Sequence, residues 1–219
     1  AHPRNVKIAK LAKANNIPTV CLPHGVWVYS NRFATEKTQL KDPDKQLYYD
    51  YYPCPGLHTS YLIERGVPKA RIKEIGSMRY CREWLSIYGR HIIAESFNTE
   101  GQNNLRLIIF LSQSFYNVNN DHLTNLIETI TSLDDLTIVI KPHTRGISAN
   151  YIKKIIGSSN VQVHEEMSSV ALVDWADAAV VYGSSIAIQV LAAGKALLYP
   201  TYIDGNSVHF ADMKACWEF

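Results

Sequence analysis

Between residues 105 and 200 the chain alternates short apolar runs with helix-forming stretches, and few folds accept that pattern. The runs are "LRLIIFL" (105–111), "LTIVIK" (136–141), "VQVH" (161–164), "AAVVY" (178–182) and "KALLYP" (195–200). Most are rich in branched apolar residues and lack polar alternation, as strands covered on both faces do. Helices are predicted between them, over about 120–132, 148–157, 168–175 and 184–193. Strand, helix and strand joined by short links imply a parallel sheet with right-handed crossovers.

The first half is sparser. A helix is predicted over 4–15, with Val6, Ile8, Ala9, Leu11 and Ala12 on one side and "NN" ending it. "IPTVCL" (17–22) reads as a buried strand. A short strand near 48–52, a helix over about 57–65 closed by Gly66, a strand at 71–75 and a helix over "RYCREWLSIYG" follow. The stretch from His24 to Leu47 is too long for a routine connection. The expected organisation is therefore α/β: two Rossmann-like domains with parallel sheets, over 1–90 and 105–219, joined by a polar linker at 91–104. About three strands are too few for a complete open sheet, so the first domain is expected to be incomplete at its N-terminus. The chain starts at Ala1 without a methionine, and a piece of a longer protein is expected.

Composition narrows the function. A net charge of +2 gives no overall field for nucleic acid. The four cysteines are scattered, with no CxxC pair and no Cys/His cluster, so no metal site is expected. Free thiols and the absence of an N-x-S/T sequon suit a cytoplasmic protein. No run of ~18 apolar residues is present, which argues against a transmembrane helix.

In parallel α/β sheets ligands bind beyond the carboxyl ends of the strands. Five predicted strands deliver polar residues there: Pro23, His24 and Gly25; Gly76, Ser77, Met78 and Arg79; Ser112, Gln113 and Ser114; Lys141, His143 and Arg145; and Gly183, Ser184 and Ser185. Any one cluster alone reads better as an ordinary strand-to-helix turn, with Ser184 as a helix cap. Two histidines, two arginines, a lysine and paired serines together favour an anion site. Lys141 and Arg145 supply charge-assisted bonds of the kind that bind phosphate, and two hydroxyls beside a glycine suit the same ligand. There is no GxxxxGK[ST] and no GxGxxG, so neither a P-loop ATPase nor an ordinary NAD site is implied.

"IPTVCLPHG", "GVPKARIKEIGSMRY", "IVIKPHTRG" and "LVDWADAAVVYGSSIAIQVLAAGKALLYP", in that order, resemble GT-B-fold transferases of surface-polysaccharide synthesis. The resemblance is to the capsule polysaccharide and CDP-glycerol glycerophosphotransferase group. It implies a GT-B-like pair of Rossmann-like domains facing a cleft, the first on the acceptor side and the second binding the nucleotide donor. It implies a transferase moving a sugar or glycerophosphate from a nucleotide-activated donor to a polysaccharide or lipid-linked acceptor, with no metal or other cofactor. His24 resembles the histidine of the family's "HG" element, and His143 that of its "KxH" element. Ser184 and Ser185 resemble the paired serines over the donor phosphate, and Arg79 sits in the place of the family's "GSPRY"-like turn; with Lys141, Arg145 and Gln189 they are the expected donor-binding residues. Three departures stand out: Met78 and Ala196 where proline is usual, and Gln189 where a glutamate toward the ribose is common. His24 is the expected base, with Asp50, Glu36 or a residue upstream of Ala1 as alternatives. The resemblance suits peripheral association with the inner face of the plasma membrane, although no strongly basic amphipathic helix supports it. The alternatives are a nucleotide-sugar epimerase of the UDP-N-acetylglucosamine 2-epimerase type, for which Glu165 and Glu166 read better as a solvated face, and a non-catalytic GT-B-like binding module.

Overall fold

The computed structural model of the chain describes residues 3–22, 29–31, 48–64, 66–77, 79–91, 104–112, 118–143, 152, 161–204, 206–208 and 214–219. The elements of the first half are α1 (Pro3–Ala14), β1 (Tyr29–Asn31), β2 (Tyr52–Cys54), α2 (Thr59–Glu64), β3 (Ile72–Glu74) and α3 (Arg82–His91). Next come β4 (Leu105–Phe110), α4 (Asn120–Thr131), β5 (Leu136–Lys141), β6 (Val161–Val163), α5 (Ser169–Trp175) and β7 (Ala178–Val181). The chain closes with α6 (Ile186–Ala192), β8 (Ala196–Tyr199), α7 (Thr201–Asp204), β9 (Asn206–Val208) and β10 (Trp217–Glu218). These fall into two compact units, Ala1–Trp27 with Ala34–Leu85, and Val28–Phe33 with Ser86–Phe219. The linker expected at 91–104 lies outside the described residues except at its ends, as does the 148–157 helix apart from the helical, buried Ile152.

In the first unit "NN" stops α1 through a Schellman end. Asn16 is left-handed at φ +55, its N–H reaches Lys13 O at 3.1 Å, and Ile17 N–H reaches Ala12 O at 2.9 Å. Gly66, at φ +83, closes α2 with the same pair of bonds. β2 and β3 pair in parallel, Tyr52 opposite Ile72 and Cys54 opposite Glu74, over a small core of Tyr52, Cys54, Val67 and Ile72. The strand expected at 17–22 is reduced to one parallel bridge, Val20 to Tyr51. Pro18 has no N–H to give. The Asp50 carboxylate takes both the Thr19 N–H at 2.8 Å and the Thr19 hydroxyl at 2.9 Å. Those bonds, the backbone one first, hold the Asp50 carboxyl below the usual range. Ile17, Val20 and Leu22 stay more than half exposed, so the apolar run is not a buried one.

The second unit is built on a six-stranded sheet of order β10-β8-β7-β4-β5-β6, every pair parallel. Counted from β4, this is the Rossmann order 3-2-1-4-5-6. β4, β5 and β6 step one way, and the chain then crosses back to lay β7 on the other side of β4. Ile108, Ile109, Ile138, Val139, Ile140, Val180 and Val181 are 0% exposed, which accounts for the unbroken apolar runs. Asn119 caps α4, its side chain accepting His122 N–H at 3.1 Å, and Leu123, Leu126 and Ile127 bury one face of the helix. Three short strands escaped the sequence reading. β1 and β9 pair antiparallel, Tyr29 opposite Val208, and β10 adds two residues beside β8. At two or three residues each they carry no periodicity.

At the amino edge, Arg106 grips Asp177 with Nη2 to Oδ1 at 2.6 Å and Nε to Oδ2 at 3.0 Å, locking β4 to the start of β7. The Arg106 bond holds the Asp177 carboxyl at about 2. The stability it supplies is complete above the ordinary carboxylate range and is lost as pH falls toward that value. Because both side chains are more than a third exposed, Asp177→Asn is expected to cost no more than about 1 kcal/mol near neutrality. Urea unfolding should show that gap narrowing between about pH 6 and 3. All four cysteines are free thiols, and no described helix is long and apolar enough to cross a membrane.

Candidate functional site

Strand order in the second unit reverses between β4 and β7, so the crevice beyond their carboxyl ends is where such a sheet holds a ligand. Ser112 follows β4, Tyr182 to Ser185 follow β7, and Lys141, Pro142 and His143 close the neighbouring β5. Phe110 pairs with Lys141 on one side and Val181 on the other. Two strand spacings put the tips of β5 and β7 about 10 Å apart.

Ser112 and Lys141 are buried, at 5% and 8% exposure, and His143 is half-buried. Lys141 Nζ donates to the Glu165 carbonyl. Burial lowers the Lys141 pKa, and the Glu165 and Glu166 carboxylates partly offset that. Both glutamates are exposed, as a solvated face would be.

The glycine after β7 is required by its surroundings. Gly183 is left-handed at φ +57, and a Cβ there would lie 3.2 Å from both Asp204 Oδ2 and Ser112 Oγ. Its N–H donates to Tyr199 Oη at 3.0 Å, and the same hydroxyl donates to Asp204 Oδ2 at 3.0 Å. Tyr199 is fully buried and Asp204 is 2% exposed. Tyr182 is also fully buried, and burial pushes its phenol well up. α6 starts at Ile186, two residues later than predicted. Ser184 Oγ accepts Ile186 N–H at a long 3.4 Å, while Ser185 makes no side-chain cap.

The structure thus gathers Lys141, His143, Ser184 and Ser185 at one sheet edge, and sets Gln189 half-buried on α6. Arg79 belongs to the first unit, exposed after β3, with its guanidinium 5.7 Å from the Tyr80 ring centroid. His24, Glu36 and Arg145 lie outside the described residues. Asp50, the other alternative base, is tied to Thr19, and its lowered pKa makes it a weak base. Sequence reasoning missed Tyr199 and Asp204, although "KALLYP" is also a buried strand and the strand-end rule, continued one turn further, reaches "TYID". An apolar groove of about 480 Å³ lies between the sheet and α4, lined by residues such as Leu107, Leu126, Val180 and Leu198; it contains none of these polar residues.

No family model matches the chain, and no curated protein does. Solved structures do. The UDP-GlcNAc 2-epimerase of Methanocaldococcus jannaschii, in complex with UDP-GlcNAc and UDP, superposes with TM-score 0.62 at 13% identity, over 96% of this chain and 60% of that one. The UDP-GlcNAc 2-epimerase of Neisseria meningitidis bound to UDP-GlcNAc gives 0.63 at 14%, over 89% and 56%. The glycotransferase of kitacinnamycin gives 0.61 at 14%, over 98% and 60%. The chain therefore spans 56–60% of the length of these proteins. At such identities the likeness shows the fold: α/β with Rossmann-type parallel sheets, as in GT-B proteins.

Proposed function

We propose that the chain is a nucleotide-donor transferase, moving a sugar or glycerophosphate unit to a cell-surface polysaccharide or lipid-linked acceptor. The observation behind it is the gathering of Ser112, Lys141, His143, Ser184 and Ser185 where the strand order reverses. Transfer from a nucleotide-activated donor, a nucleotide sugar or CDP-glycerol, builds charge on a phosphate leaving group. Donors fixed beforehand at that position lower the barrier. Lys141 has three ammonium donors, one of them given to the Glu165 carbonyl. In this reading His143 and Arg145 share the phosphate with Lys141 and the two serines, and Gln189 completes the donor site. The charge is met by side chains without a metal, at the cytoplasmic face of the plasma membrane.

A second reading, nucleotide-sugar epimerase, is favoured by the epimerases among the similar folds. Incubating the complete protein with labelled donors, with and without a lipid-linked acceptor, separates them. Label transfer that requires acceptor is expected. Conversion of UDP-GlcNAc to its epimer without acceptor would establish the second reading instead. Nucleotide binding with neither reaction would leave a binding module.

A further inference from the structure

We propose that Tyr199 is a positioning residue, holding the Gly183 turn in its ligand-binding shape by passing a hydrogen bond from the Gly183 amide to the buried carboxylate of Asp204. This role presupposes that the carboxyl edge binds a nucleotide phosphate. Three elements meet in it: the turn after β7, the last residue of β8 and the last residue of α7. The hydroxyl is a hub at the centre, accepting from Gly183 N–H and donating to Asp204 Oδ2, both at 3.0 Å. A phenol that gives its proton to a carboxylate is the better acceptor for an amide, so the two bonds reinforce each other.

The geometry leaves little freedom. Gly183 packs so closely that even a methyl group would crowd Asp204 Oδ2 and Ser112 Oγ. With its amide turned inward onto Tyr199, the two serines that follow stay half-buried at the edge itself. Asp204 is not suited to meet the ligand: it is buried, and its charge would repel a phosphate. Its place behind Tyr199 makes it the anchor.

The experiment measures affinity of the complete protein for CDP, UDP and GDP and, for the diphosphate that binds best, for its nucleoside as well. Loss of a bond that shapes only the phosphate turn should be selective. Tyr199→Phe is expected to weaken the diphosphate about tenfold, the order of one well-placed hydrogen bond, and to leave the nucleoside within about twofold. Asp204→Asn keeps a weaker acceptor for the Tyr199 hydroxyl, so it should weaken the diphosphate less than Tyr199→Phe does, and a larger loss in Asp204→Asn would overturn the relay. Equal weakening of diphosphate and nucleoside in Tyr199→Phe would mean a merely structural residue and overturn the proposal, as would no weakening at all. If the wild-type protein binds no nucleotide, the function proposed above fails, and this role with it. Hydrogen exchange on the unliganded wild type tests the Gly183 bond itself even if Tyr199→Phe does not fold. The Gly183 amide should be protected as well as those of Val180 and Val181, and free exchange there would overturn the relay.

Discussion

Replacing Gly183 with alanine is expected to cost about 2 kcal/mol of stability, and to weaken any ligand held at the carboxyl edge of the second sheet. Two effects add. A residue with a Cβ loses roughly 1–2 kcal/mol in the left-handed region that Gly183 occupies. The new Cβ would also press on Asp204 Oδ2 and Ser112 Oγ at 3.2 Å, and neither can swing away, because both side chains are buried and Tyr199 holds the aspartate. Gly66 is the control, since its φ of +83 is equally left-handed but nothing lies within 4 Å of its Cβ position. Gly66→Ala should lose the conformational part alone. Urea unfolding of both variants reads the difference. A larger loss at Gly183 supports the close approach, and equal losses would show that the contact carries no energy.

Ile140→Ala should be costlier still, about 2–5 kcal/mol, the range for emptying a buried branched side chain. Ile140 is 0% exposed on β5, opposite Ile109 of β4 on one side and Val163 of β6 on the other. Its carbonyl also accepts His164 N–H at 3.0 Å, so a shift of β5 reaches both β6 and Lys141 beside it. Leu133→Ala, at a site 50% exposed, should cost no more than about 1 kcal/mol. The measurement is the urea midpoint at unchanged slope. A midpoint for Ile140→Ala no lower than that for Leu133→Ala would contradict the placement of the core.

Legibility followed burial. β4, β5 and β7 could be read because strands covered on both faces must be apolar without interruption, and that condition writes itself into composition; β8 is apolar too, although Ala196 is exposed and Leu198 half-buried. "IPTVCL" is also largely apolar and still forms one bridge, because composition says nothing about whether a neighbour is within reach. Here Pro18 and the Asp50 carboxylate end the ladder. β1, β9 and β10 exist through pairing alone and leave no pattern.

The candidate site divides in the same way. Lys141, His143, Ser184 and Ser185 are adjacent in sequence to strand ends, so a topological rule finds them. Tyr199 and Asp204 matter through one hydroxyl that joins three elements, and no local stretch encodes that meeting. The strand order, with its reversal between β4 and β7, was likewise beyond the sequence, though it decides which of the five turns share a crevice.

The central claim is that this crevice holds a nucleotide phosphate. Thermal unfolding of the complete protein with CMP, CDP, UDP and GDP tests it most directly. A nucleotide at a hundred times its Kd stabilises the folded state by ~2.7 kcal/mol, which for a chain of this size raises the melting temperature by roughly 5–10 °C. Such a rise is expected with at least one of the four, and its loss in His143→Ala. A melting temperature that none of them moves would contradict it.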